Sequence, residues 1–260
     1  MQDFVLRDSV SRVRYHDLPG DGIPVLFIHG LGCAGSFDYP AVVSQPLLAG
    51  YRRILVDLLG SGFSDKPADF GYTLSDHAEY LVDFVTFLAL DRFALFGHSL
   101  GGAVALSLAD RCRDRLARVV LSEGNLDSGG GLTSNAIAAF SERDFVDRGF
   151  HEIIEKNQQT GNDMWAASCA LTSPVALYRG AHSVIAGTSP SWRDILYSLD
   201  CPKTFIFGER SLPAADVQVL PEHGVHVEVV PQAGHSMAWE NPKGLANAIQ
   251  NGLRQGGREF

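Results

Sequence analysis

The chain has 260 residues, 45% of them apolar, which is enough for one large α/β domain or two small ones with an ample core. Its formal charge of −9, with Lys and Arg mostly dispersed, argues against a nucleic-acid or anionic-lipid surface and points to small-molecule partners. The four cysteines, Cys33, Cys112, Cys169 and Cys201, show no CxxC or CxxH spacing, so reduced thiols in a cytoplasmic protein without a metal site are expected.

Taken in chain order, the first segment carries Asp3, Arg7, Asp8, Arg12 and Arg14, which leaves no apolar core for a signal peptide. No uncharged apolar stretch anywhere approaches the roughly 20 residues needed to cross a bilayer. RVRYHDL (12–18) reads as an early strand, separated by the PGDG turn at Pro19 to Gly22 from PVLFIH (24–29). Further strand-like runs are RRILVD (52–57), FALFGHS (93–99), ARVVLSE (117–123), KTFIFGE (203–209) and VHVEVVP (225–231). Several of these are nearly continuous in apolar residues rather than alternating, as strands covered on both faces must be, so the sheet should be mostly parallel. Helices are expected from Asp76 to Ala89 with Ser75 as cap, from Leu100 to Arg111, and from Pro242 to Leu253. Residues 126–195 contain no clear strand, open with the glycines 129–131, and read as amphipathic pieces such as NAIAAFSERDFVDRGF and HEIIEKNQQ. They predict a helical lid over a core built from 1–125 and 196–260.

LFGHSLGGA (95–103) places Ser99 between a buried strand and a helix, with Gly97 and Gly101 completing G-x-S-x-G. A serine on so sharp a turn is forced into a strained backbone, and the chain passes so close on either side that glycine fits best. The turn lifts the hydroxyl clear of the sheet and sets the amide of Leu100 at a helix N-terminus, where negative charge is favoured. After the last strand, PQAGHSMAWENP (231–242) offers His235 in a glycine loop at the sheet edge where α/β proteins gather their chemistry, so His235 is the candidate general base. His98 lies within the elbow; His16, His77, His151, His223 and His226 fall in largely polar stretches, and His182 in the helical segment.

VLFIHGLGCAG (25–35) contains G-x-G-x-x-G, and Asp57 follows at the end of a strand where a ribose-binding acid would be expected in a dinucleotide site. Two features oppose that reading. Pro40 would disturb the helix that the third glycine should open, and the motif does not follow the first strand-like segment.

With His29-Gly30, DLLGSGFSD (57–65), GHSLG (97–101) and GHS (234–236), the chain resembles the α/β-hydrolase superfamily of cofactor-free serine hydrolases over nearly its full length. The resemblance implies the chain order Ser, acid, His, a lid entering after the sixth strand, and no cofactor. It implies that the amide of Leu31 joins that of Leu100 in an oxyanion hole. His29 then becomes loop architecture, hydrogen-bonded in the core, and Asp57 with GSGFSD a fold-stabilising turn.

The acid is less direct. Many family members carry Asp three residues after the glycine that ends the seventh strand, and here Ser211 stands there; nearby Asp216 looks like the start of a helix. A second family arrangement puts the acid directly after the sixth strand, where VVLSEGNLD (119–127) offers Glu123, with Asp127 as the next choice. Its carboxylate would fix the tautomer of His235 and stabilise the imidazolium.

Serine at the elbow argues against the dehalogenase and epoxide-hydrolase chemistry that this family runs with aspartate. A small uncharged or weakly polar ester is the expected substrate. Thioester, amide or C–C bond hydrolysis, or a non-catalytic ligand receptor, are the alternatives. Phe140, Phe145, Phe150, Met164, Trp165 and Trp192 are candidates to line an apolar pocket, although aromatics at helical spacing more often belong to a core.

Overall fold

The computed structural model describes residues 1–6 and 11–255, so Arg7 and Asp8 of the charged N-terminal segment lie outside the described residues. The strands are β1 (Gln2–Val5), β2 (Arg12–Leu18), β3 (Gly22–Ile28), β4 (Tyr51–Asp57), β5 (Phe93–His98), β6 (Leu116–Ser122), β7 (Lys203–Gly208) and β8 (Val225–Val230). They form one 8-stranded sheet in the order β1-β2-β4-β3-β5-β6-β7-β8. The β1–β2 and β2–β4 pairings are antiparallel and all others parallel. Every strand read from the sequence is present. β1 is an addition: four residues at the sheet edge with only Phe4 buried, too short to leave an alternation.

The continuous apolar runs are explained by helices on both faces. Within β3, Leu26 and Ile28 join one core cluster while Val25 and Phe27 join the other, the period-2 alternation of a strand covered twice. The chain between β3 and β4 forms two short helices, α1 (Gly35–Asp38) and α2 (Pro40–Val43). α3 (Leu74–Phe87) packs Leu81, Phe84 and Val85 into the first cluster together with α4 (Leu100–Arg111). α3 starts before the expected Asp76, and its cap is Thr73 rather than Ser75. The Thr73 hydroxyl accepts from the Asp76 amide at 3.1 Å, and the Asp76 carboxylate accepts from the Thr73 amide at 3.0 Å. This reciprocal pair satisfies two otherwise orphaned donors, which a cap at Ser75 would not. His77, which falls in a largely polar stretch of the sequence, is buried beside Tyr80 and Phe70, and burial pushes its pKa down to about 3.

Between β6 and β7 the described elements are all helical: α5 (Leu132–Ala138), α6 (Glu142–Asp144), a π turn at Phe145–Gly149, α7 (Phe150–Gln159), α8 (Asp163–Cys169), α9 (Pro174–Ala186) and α10 (Trp192–Ser198). Phe145, Phe150 and Trp165 pack with Ile137, Leu177 and Cys33 into a third cluster, which fastens these helices to the end of β3. Trp192 instead belongs to the main core, its indole donating to the Ser107 hydroxyl of α4 at 3.0 Å. α11 (Asp216–Glu222), α12 (Met237–Glu240) and α13 (Pro242–Arg254) complete the chain, with Leu245, Ile249 and Leu253 of α13 in the second cluster. Among the described residues no helix is long and apolar enough to cross a membrane.

The first turn of α4 is wedged against the end of β3, where a Cβ on Gly101 would collide with the carbonyl oxygens of Ile28 and His29. Gly101→Ala is therefore expected to destabilise the protein by about 1–3 kcal/mol. Gly131→Ala, where a Cβ meets nothing, should stay within about 0.5 kcal/mol. Urea unfolding of the two variants checks the contrast.

Candidate active site

Ser99 sits between β5 and α4 with φ 52° and ψ −124°, a backbone conformation that costs a non-glycine residue about 1–3 kcal/mol. The surroundings hold it there. The Ser99 amide donates to Ser122 O at 3.0 Å, and its carbonyl accepts from the amides of Gly102 at 2.9 Å and Asn125 at 3.1 Å. A Cβ on Gly97 would come within 2.6 Å of Gly101 O, so the glycines flanking Ser99 answer to close approach, as the motif implies.

Glu123 follows β6 directly, with φ 42°, and its amide donates to Ile206 O at 3.0 Å. One carboxylate oxygen accepts from the Gly208 amide at 2.9 Å, and the other from His235 Nδ1 at 2.6 Å. Ser211, the residue at the usual acid position, lies beside the same carboxylate and helps to lower its pKa. Asp127 and Asp216 are both occupied elsewhere. Arg193 of α10 holds Asp127 at 2.6 Å and Asp216 at 2.9 Å, and neither aspartate has a hydrogen bond to His235. The loop of His235 is itself pinned: the Gly234 amide donates to Glu240 at 2.6 Å, and Arg210 bonds the same carboxylate at 3.0 Å.

With Glu123 accepting at Nδ1, that nitrogen carries the proton and Nε2 is left with the lone pair. The neighbouring His98 ring has its centroid 4.7 Å from that of His235. Burial, reinforced by His235, pushes His98 down to about 3. It therefore stays neutral and sets no second cation against a charged His235. It is also anchored, its Nδ1 lying 2.9 Å from Ser122 O.

The loop after β3 makes the opposite wall. His29 is buried, with Nδ1 on Gly30 O at 2.9 Å and Nε2 accepting from the Leu58 amide at 3.0 Å, so it is a structural histidine held neutral by burial. Asp57 accepts from the Ser36 amide and hydroxyl at 2.8 and 2.7 Å and from the Phe63 amide at 3.0 Å, which ties the glycine loop to GSGFSD. Those bonds leave no carboxylate edge for a ribose, and α1 ends before Pro40 instead of forming a dinucleotide-binding helix. Leu31 and Leu100 line a cavity of about 450 Å³ together with Ser99, Glu123 and His235. Among the described residues neither the Leu31 nor the Leu100 amide has a backbone or side-chain acceptor. Of the aromatic candidates for the cavity wall, Trp165 alone is among its lining residues; its indole donates to Leu31 O at 2.9 Å. The cavity also takes in Asn125, Asp38 and Trp239, which the sequence offered no motif to single out.

A family model described as alpha/beta hydrolase fold matches residues 23–157, and the chain belongs to that family. It is 36% identical over 113 residues to haloalkane dehalogenase 2 of Mycobacterium tuberculosis, covering 44% of this chain and 38% of that one. To 2-hydroxymuconate semialdehyde hydrolase of a Pseudomonas species it is 36% identical over 111 residues, covering 42% and 39%. The matches thus span about two fifths of the length of these relatives. In structure it resembles a thermophilic esterase from Thermogutta terrifontis with a TM-score of 0.78, at 23% identity over 98% of this chain and 99% of that one.

Burial acts to raise the Glu123 pKa, but the bonds from His235, Gly208 and Ser211 outweigh it and hold the carboxyl at about 2 against an ordinary 4.5. A folded-state value below the unfolded one contributes stability above about pH 4.5, which is lost as pH falls toward 2. Glu123→Gln should therefore flatten the decline of stability across that interval. Urea titrations at stepped pH check it, and an unchanged slope would contradict the bonding described.

Proposed function

We infer that the protein is a serine hydrolase that cleaves a small, uncharged or weakly polar carboxylic ester through an acyl-enzyme. Ser99 is the nucleophile, His235 the general base, Glu123 the acid that orients it, and the amides of Leu31 and Leu100 the oxyanion donors. The observation that carries this reading is the 2.6 Å bond from His235 Nδ1 to Glu123 in the wall of the cavity that Ser99 also lines. It supports Glu123 as the acid in place of the one missing from the usual position, and so weighs against a non-catalytic receptor.

In the first step His235 Nε2 takes the Ser99 proton as the serine oxygen attacks the ester carbonyl. Glu123 stabilises the imidazolium, while the two amides receive the charge growing on the carbonyl oxygen. His235 then returns the proton to the leaving alcohol, and water, activated by the same imidazole, hydrolyses the acyl-enzyme. Serine chemistry also separates this chain from its dehalogenase relative. A serine oxygen that displaced a halide would form an ether, which water at this site cannot release. The helical segment 126–195 serves as the lid, with Trp165 reaching from it to the oxyanion loop. The free thiols of Cys33, Cys112, Cys169 and Cys201 fit a cytoplasmic setting.

Wild-type protein should be labelled covalently by a fluorophosphonate and should hydrolyse p-nitrophenyl esters, and Ser99→Ala should do neither; an unlabelled, inactive wild type would refute the reading. The carboxylates are separated by a second comparison. Glu123→Gln should lose about 10³ to 10⁴-fold in kcat, by analogy with removal of the triad acid elsewhere. Asp127→Asn should stay within a few-fold of wild type, because its partner is Arg193.

A further inference from the structure

The two members of the bonded pair His235 and Glu123 are not equally well seated. Glu123 follows β6 directly, whereas His235 lies in the stretch between β8 and α12, which belongs to neither strand nor helix. The His235 side chain is 55% exposed against 13% for Glu123, so burial does not fix the imidazole. Gly234 before it has no Cβ and turns freely unless something holds it. The 2.6 Å bond from Nδ1 to the carboxylate nevertheless requires this backbone to stay in one place.

Two charged side chains hold it. Glu240, at the end of α12, accepts from the Gly234 amide at 2.6 Å with one oxygen and from Arg210 at 3.0 Å with the other. Arg210 also donates to Gln232 O at 2.8 Å from its guanidinium and to Ala233 O at 2.8 Å from its amide. Its neighbour Glu209 accepts from the Gln232 amide at 2.7 Å, at a residue with φ 56°. Glu209 and Arg210 stand directly after Gly208, whose amide donates to Glu123. A Cβ on Gly208 would collide with the carbonyl oxygens of Ala233 and Gly234, so the two segments touch along their backbones. One turn thus reaches the acid on one side and the loop of the base on the other. The Arg210–Glu240 pair has side chains 60% and 33% exposed, and a pair so open to water adds little to stability, which leaves placement of the loop as what the carboxylate does. Neither residue is among those that line the cavity, so their removal leaves the substrate's contacts as they are.

We propose that Glu240 is a positioning residue for the general base: through the Gly234 amide, and braced by Arg210, it keeps the His235 imidazole on Glu123 and so governs the chemical step rather than substrate binding. The proposal rests on the ester-hydrolase reading above.

The test pairs steady-state hydrolysis of p-nitrophenyl butyrate with the downfield proton NMR signal of His235 Nδ1–H, identified by its loss in Glu123→Gln. Glu240→Ala should lower kcat about 10- to 100-fold, the size expected when a reacting group is held loosely, with KM nearly unchanged. The proton signal should broaden or weaken in the same variant. Glu240→Gln, which keeps an acceptor for the Gly234 amide, should recover most of both. Arg210→Ala, at an exposed side chain, should show a smaller loss of the same kind and carries the test if Glu240→Ala does not fold. A kcat equal to that of wild type, a loss that falls on KM alone, or an unmoved proton signal would overturn the positioning role and leave the hydrolase reading intact. A wild type that neither turns over ester nor takes up a fluorophosphonate would overturn the hydrolase reading, and the catalytic role of Glu240 with it.

Discussion

The site depends on how closely the first turn of α4 approaches the end of β3. With no side chain at Gly101, the backbone of α4 lies directly on the carbonyls of Ile28 and His29. That contact fixes the distance between two loops that are far apart in sequence, one carrying Leu31 and the other Ser99 and Leu100. It also brings to one cavity two residues whose amides have no acceptor among the described residues. A methyl group at this point would push the loops apart and separate the two amides proposed as oxyanion donors, with no change in any side chain of the site. The strained backbone of Ser99 is sustained by the same arrangement, because its amide and carbonyl are bonded on both sides.

The acid shows how a parallel sheet permits substitution of position without loss of geometry. β6 and β7 are paired in register, Ser122 opposite Ile206, so their C-terminal ends emerge side by side. A carboxylate one residue beyond β6 reaches the imidazole that one three residues beyond β7 would otherwise serve. Ser211 occupies the vacated place and lies beside the carboxylate of Glu123. Gly208 adds its amide from the same turn, so the β7 loop still supports the acid although it no longer supplies it.

Much of this was legible in the chain. The buried strands announced themselves by unbroken apolar runs, and the elbow by glycines whose reason is steric. His29 and Asp57 were read as architecture, and their hydrogen bonds bear that out. What escaped had no local signature. β1 is a short edge strand; Thr73 rather than Ser75 caps α3 because Asp76 completes a reciprocal pair with it. His77 sits among polar neighbours in sequence yet faces aromatic rings in space. Asp38 and Trp239 are separated by most of the chain, and only tertiary packing brings them to one cavity. Among the aromatic residues of the helical segment, composition could not tell the one that touches the cavity from those that fill a core.

Trp165 has a further bearing on how the enzyme would work. Its indole holds the carbonyl of Leu31 from α8, and its ring fills the space beside Gly32, where a Cβ would come within 2.7 Å. Leu31, whose N–H is the proposed oxyanion donor, is therefore held through its next peptide by a residue of the helical segment between β6 and β7. On the proposed reading, a movement of α8 away from the sheet would loosen the oxyanion loop as it widened the entrance, so admission and reactivity would be alternatives and an open molecule would be protected from idle chemistry.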